Sequence, residues 1–348
     1  MSRVLIVMAR TDIGEGTDVD GSERTGRSTA SAASGVSRRQ AIRAGCLVTM
    51  GGLLTGVGTD GVSASSDDGD GPPREVHLDY DEYDSWDDVY RMTSGERDAI
   101  DFVSSPTSSG ETALQVRVDE HDHWGVSTHY DFEGGLLELN GRVRFALDTG
   151  WSMDGRDLAN CRLWNCAISL GEGSAGGGVP DGTNGWSNRL YVTSKDTNPE
   201  GPYHLFSNTY HVRDTDDGVG DHDYLVGGEE YVVSVPEIDR GEWYEFEYEV
   251  CVNTVDEGSA NDDGIVRYWL DGDLVYEREN FTFTEDLENN VIDTNGPVGH
   301  YGGRYTAPRT LYAYYDDHSM VLDGSFDEVS TDAADPRWCD LLSDIFGD

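Results

Sequence analysis

Apolar and polar residues alternate in short runs along most of this chain, and no long amphipathic helical pattern interrupts them. Leu114, Val116 and Val118 alternate, as do Trp124, Val126, Thr128 and Tyr130, and then Val143, Phe145 and Leu147. Later runs are Tyr244 to Val252 and Val266, Tyr268 and Leu270, the last closed by Asp271-Gly272. A period of two sends successive side chains to opposite faces, which is the signature of a strand with one face buried. Gly, Asp and Asn between the runs supply turns. The predicted fold is therefore all-β, a two-sheet sandwich or jelly roll with one sheet open to a ligand along a concave substrate groove.

Charge narrows the setting. The formal net charge is −44, from 68 acidic against 24 basic residues, and the single lysine is Lys195. Such an excess repels itself in dilute buffer, but at about 1 M salt the screening length falls to roughly 3 Å. The acidic surface reads as adaptation to strong brine. The 8 Trp, 18 Tyr and 9 Phe argue for a real core rather than an acidic disordered chain. Nucleic acid is excluded as a partner by sign of charge.

The chain divides into an unassigned extension (1–35), an export signal (36–64), a polar linker (65–74) and the β domain (75–348). Arg38-Arg39 precedes a short, Gly-rich apolar run, and Val62-Ser63-Ala64 offers a cleavage site. This pattern resembles a twin-arginine signal, so a secreted product without stable membrane insertion is expected. Cys161, Cys166, Cys251 and Cys339 would remain after cleavage; two disulfides are open to them, but structural or free thiols fit better. No ligand spacing marks a metal site. His121 and His123, within an acidic cluster, read as a solvated loop, and abundant carboxylates are compatible with a structural calcium ion. No cofactor is required.

The segment from Trp186 to Val192 alternates too. Ser187, Arg189 and Tyr191 project to one face, and Trp186, Leu190 and Val192 to the other. Grouped arginines in so acidic a chain need an explanation, and Arg162 is a second one nearby. In Tyr244-Glu245-Phe246-Glu247-Tyr248-Glu249 the glutamates share a face. A carboxylate pair there would suit a glycoside hydrolase, whereas a solvated sheet face needs no chemistry.

At these residues the chain resembles the jelly-roll polysaccharide lyases of families 14 and 20, the alginate and glucuronan lyase type. Asn160-Cys161-Arg162-Leu163-Trp164-Asn165 stands at a segment where those enzymes carry lysine, with Arg162 in its place. Gly185-Trp186-Ser187-Asn188-Arg189 is similar to their Gly-x-Ser-x-Arg strand. Asn208-Thr209-Tyr210-His211 is similar to a Tyr-x-Tyr-His strand, with Asn208 at the first tyrosine. Trp243, Val252-Asn253, Trp269-Leu270-Asp271-Gly272 and His300-Tyr301-Gly302-Gly303 follow in order, so the likeness covers roughly residues 115–325.

The resemblance implies a concanavalin A-like jelly roll that cleaves an anionic, uronate-containing polysaccharide by β-elimination. Arg189 would clamp the uronate carboxylate, Arg162 would add a second cation, and Ser187 would orient sugar or arginine. Tyr210 would move the proton, with His211 as rival base on the opposite strand face. Trp164, Tyr191, Tyr203, His129 and Tyr301 are candidate substrate contacts. Trp164, Tyr191 and Tyr203 equally suit packing, and the arginines equally suit surface ion pairs. A non-catalytic carbohydrate-binding jelly roll, and a hydrolase using Glu245, Glu247 and Glu249, are the other readings. Screening by salt should let a −44 chain meet an anionic polymer. Activity is therefore expected to rise with NaCl concentration over a range in which circular dichroism reports an intact fold; a maximum in dilute buffer would contradict this.

Overall fold

The computed structural model describes residues 74–326 and 329, apart from 154–158, 196, 213–217 and 303–304. The extension, the export signal, nearly all of the linker and Cys339 lie outside the described residues. The strands, in chain order, are β1 (Arg74–Leu78), β2 (Arg91–Gly95), β3 (Ile100–Val103), β4 (Ala113–Val118), β5 (Trp124–Leu136) and β6 (Glu138–Leu147). They continue with β7 (Asn160–Ser169), β8 (Trp186–Thr193), β9 (His204–Tyr210), β10 (Asp221–Tyr224), β11 (Trp243–Cys251) and β12 (Val255–Asp256). The last are β13 (Ser259–Ala260), β14 (Gly264–Leu270), β15 (Asp273–Phe281), β16 (Ile292–Tyr301) and β17 (Leu311–Leu322).

Two antiparallel sheets form a β-sandwich jelly roll. The first has the order β15-β14-β11-β6-β17-β4-β3, with β1 also pairing β17; the second has the order β10-β9-β8-β7-β16-β5-β2. The predicted alternating runs lie in β4, β5, β6, β11 and β14. The hairpin from β14 to β15 turns at Asp271 and Gly272, with φ of 50° and 84°, the left-handed pair a tight hairpin requires.

The sheets meet on an aromatic interior whose polar tips are paired. Tyr248 of the first sheet receives hydrogen bonds from Trp164 Nε1 at 3.3 Å and Asn295 Nδ2 at 2.7 Å, both from the second. Tyr268 donates to Asn188 Oδ1 at 2.7 Å, and Asn188 Nδ2 donates to Ser207 and Thr209 at 2.9 and 2.8 Å. Gly141 is required beside Tyr248, because a Cβ there would stand 2.1 Å from its ring. Cys161 and Cys166 are buried thiols and Cys251 is a partly buried one. Burial pushes Cys161 up to about 12, so it is inert near neutrality.

The glutamate row lies on the outer face of the first sheet, paired with arginines. Phe246 and Tyr248 are fully buried, while Arg142 pairs with Glu247 at 2.6 Å and Arg144 lies 3.7 Å from Glu245. Glu249 is buried against Arg267 at 2.9 Å. The hydrolase reading fails here because these carboxylates are on the first sheet's outer face and already neutralised. The same face brings ligand atoms of Glu138, Glu249 and Cys251 within 4.8 Å of one another, with Arg267 supplying the positive charge.

Asn188 joins the sheets directly behind Arg189. Asn188→Ala is expected to cost about 1–3 kcal/mol, since it removes the buried hydrogen bonds to Tyr268, Ser207 and Thr209; thermal unfolding measures it.

Candidate functional site

Antiparallel register lines up side chains from neighbouring strands, and two rows on the outer face of the second sheet concentrate its chemistry. One row runs through His222, Asn208, Arg189, Asn165 and Gly296 by direct pairing. It continues to His129, beside Gly296, and Arg91. Gly296 has φ +141°, and a Cβ there would meet Thr128 O at 3.1 Å, so the middle of the row is bare backbone. The second row pairs Tyr224, Phe206, Tyr191, Arg162, His300 and Trp124.

Arg189 is 2% exposed, and its Nε and Nη1 have no hydrogen-bond partner of ordinary geometry. Its Nη2 donates to the Ser174 carbonyl, which also accepts from Ser187 Oγ at 2.9 Å. The guanidinium lies 4.8 Å over the Tyr210 ring. Arg162 Nε donates to Tyr191 Oη at 2.8 Å, and that hydroxyl also supports the charge of Arg189. Neither arginine contacts a carboxylate among the described residues, whereas Arg91, Arg142, Arg267 and Arg278 each do. Burial, reinforced by Arg162, pushes Arg189 down to about 10, which leaves it charged at neutral pH.

Asn165 is 1% exposed and neither side-chain polar atom has a partner. His129 and His300 each carry a buried Nδ1 without one. Burial, with Arg91 next, pushes His129 down to about 4; burial, with Arg162 and Arg189, pushes His300 down to about 3. Both rings are neutral near pH 7. Buried polar atoms are normally paired, so this cluster of orphans beside two uncompensated cations has the hydrogen-bonding capacity and charge to accept a polar, anionic group. A cavity of about 490 Å³ adjoins it at the β2 edge, lined by His129, Arg91, Asp131, Arg97 and Trp86. Arg91 holds Asp131 below the usual carboxylate range.

Arg162, Ser187, Arg189, Tyr191, Tyr210 and His129 therefore share one sheet face. Tyr210 offers Arg189 its ring rather than its oxygen, which donates to Gly218 O at 3.3 Å. The other four candidates are elsewhere. Trp164 is fully buried between the sheets against Tyr315 and His318, because a bulge after Arg162 shifts the alternation. Tyr301 is fully buried, its strand partner Cys161 also facing the core. Tyr203 is fully buried and donates to Trp151 O and Pro199 O, pinning loops. His211 contacts Asp221 at 2.9 Å and abuts Phe281. Burial pushes Asp221 up, but His211 and Arg278 outweigh it and hold it low. His211 is thus committed to a hydrogen bond with Asp221, and strand alternation separates it from Tyr210, as period two requires.

Three groups escaped the sequence. Asn165 and Trp124 stood within segments already singled out, but only register puts them beside the arginines. Ser174 belongs to a Gly-rich loop whose path strand periodicity does not encode.

No protein-family model and no curated relative matches the sequence. Among solved structures, the chain is similar to the alginate lyase Aly36B, with a TM-score of 0.53 at 17% identity, covering 73% of this chain and 100% of that one. A variant of Aly36B in complex with alginate trisaccharide gives 0.53 at 18% identity over the same shares. Another, with alginate tetrasaccharide, gives 0.53 at 16%, again over 73% and 100%. At these identities the likeness establishes the fold, the β-sandwich jelly roll.

The neutral histidines give a signed pH dependence. His129 titrates near 6.5 unfolded and about 4 folded, so its stabilising contribution is complete above pH 6.5 and lost as pH falls toward 4. His129→Gln is expected to flatten the change in melting temperature across that window relative to the parent protein.

Proposed function

We propose that this protein is a secreted polysaccharide lyase, working in concentrated salt, that cleaves a uronate-containing polymer by β-elimination. The observation that carries the proposal is Arg189: a buried guanidinium with two open nitrogens and no carboxylate of its own. The planar fork suits bidentate capture of a uronate carboxylate. The likeness to alginate lyase structures supports the same reading, and the export signal of residues 36–64 is part of the proposal.

In the reaction, a base removes the proton on the carbon beside the carboxylate, the electrons form a C4=C5 bond, and the C4–O bond breaks with protonation of the leaving oxygen. Negative charge builds on the carboxylate as the proton leaves. Arg189 and Arg162 stabilise it from a desolvated site, where fixed charges act most strongly. Asn165 Nδ2 is an available donor to the same group. Of the two tyrosines, Tyr191 accepts a hydrogen bond from Arg162 and is the first candidate for proton transfer; Tyr210, favoured by the family resemblance, sets its ring against Arg189 and is the second. Ser187 acts through the Ser174 carbonyl it shares with Arg189. A binding protein without catalysis is the other reading, favoured by Arg162 and Asn208 at the positions of lysine and tyrosine.

The assay is ultraviolet absorbance of the unsaturated product from alginate, glucuronan and related polymers in high salt. Arg189→Ala is expected to lower kcat/KM about 10²–10³-fold with the fold retained. Tyr191→Phe and Tyr210→Phe separate the hydroxyls, the proton carrier losing about 10²–10⁴-fold. Binding lost in Arg189→Ala, with no absorbance from the parent on any polymer, would establish the non-catalytic reading instead.

A further inference from the structure

Trp124 opens β5 at the end of the second row and is 44% exposed, whereas Trp151, Trp164 and Trp186 are fully buried. Its ring lies 4.0 Å from the His300 ring, and His300 pairs directly with Arg162 on the next strand. The Nδ1 atoms of His300 and of the adjoining His123 are buried and have no partner. Thus an exposed indole, two imidazole nitrogens awaiting hydrogen bonds, and a guanidinium with no carboxylate partner among the described residues stand in one line. They span two strand spacings, about 10 Å, the scale of two linked pyranose rings.

This combination fits one chemistry. An indole offers an apolar face to the C–H face of a sugar, imidazole nitrogens serve ring hydroxyls, and a guanidinium takes a carboxylate. Solvation alone gives no reason to hold a tryptophan open beside two orphaned histidine nitrogens. We propose that Trp124, His300 and His123 form a second sugar subsite, which holds the sugar next to the uronate whose carboxylate Arg189 and Arg162 take. The subsite sets affinity for polymer rather than the rate of proton transfer. This inference rests on the lyase reading, and its test can fail separately.

The experiment compares the parent protein, Trp124→Ala and Trp124→Phe on alginate polymer and on an alginate trisaccharide in high salt. The subsite predicts KM for polymer raised about tenfold in Trp124→Ala, with kcat essentially unchanged and Trp124→Phe close to the parent. It predicts a smaller effect on the trisaccharide, which fills fewer positions. Parental KM in Trp124→Ala, or kcat falling with KM unchanged, would overturn it. If the parent makes no unsaturated product, the lyase reading falls and calorimetric binding of alginate trisaccharide decides the subsite. Weaker binding by Trp124→Ala then supports it; equal binding, or no binding by the parent, overturns it.

Discussion

Arg189 is held out of water beside a second guanidinium, and neither meets a carboxylate among the described residues. Burying an uncompensated ion costs several kcal/mol even after relaxation. The surroundings return part of that through dipoles and a ring face: the Ser174 carbonyl, the Tyr191 hydroxyl and the Tyr210 ring. None carries a full negative charge. The neighbours in the row, Asn208 and Asn165, are neutral as well, although acidic residues are abundant in this chain. An Asp at one of those positions would pair the guanidinium, whereas the amides leave its charge uncompensated.

Holding that arrangement needs a stiff sheet, and alternation supplies it. On β8, Arg189 faces outward while Asn188 and Leu190 face the other sheet. Asn188 is bonded to Tyr268 across the interior and to Ser207 and Thr209 along it, so the strand bearing the clamp is tied on its hidden face. Asp221, bonded to both His211 and Arg278, does the same for β9 and β10. The outer residues are fixed by inner ones on the opposite face of the sheet.

That division explains what could be read from sequence. Period two placed Ser187, Arg189 and Tyr191 on one face, separated Tyr210 from His211, and located the β11 and β14 strands, because regular pleating preserves it. On β7 it failed. Bulges after Arg162 and after Asn165 insert residues into the ladder, so Trp164 points inward and Asn165 outward. A further register shift on β16 accompanies the inward turn of Tyr301. Tyr203 is settled by loop carbonyls distant in sequence. Trp124 was legible as a strand residue, but its exposure depends on where that strand ends in the sheet.

The two sheets also divide the charge. The first sheet's outer face carries Glu245, Glu247, Glu249, Glu277 and Glu279, tied to Arg142, Arg144 and Arg267. The second sheet's face carries Arg162, Arg189, neutral imidazoles and amides, and the acid beside His129, Asp131, is paired with Arg91. At about 0.1 M salt the screening length is near 10 Å, long enough for the total charge to oppose an approaching polyanion. At about 1 M it is roughly 3 Å, so an arriving carboxylate responds chiefly to the groups it touches. A strongly acidic protein can then recognise an acidic polymer, provided the few cations at the contact are not already spent on its own carboxylates. Arg162 and Arg189 meet that condition, and the paired arginines on the opposite sheet do not.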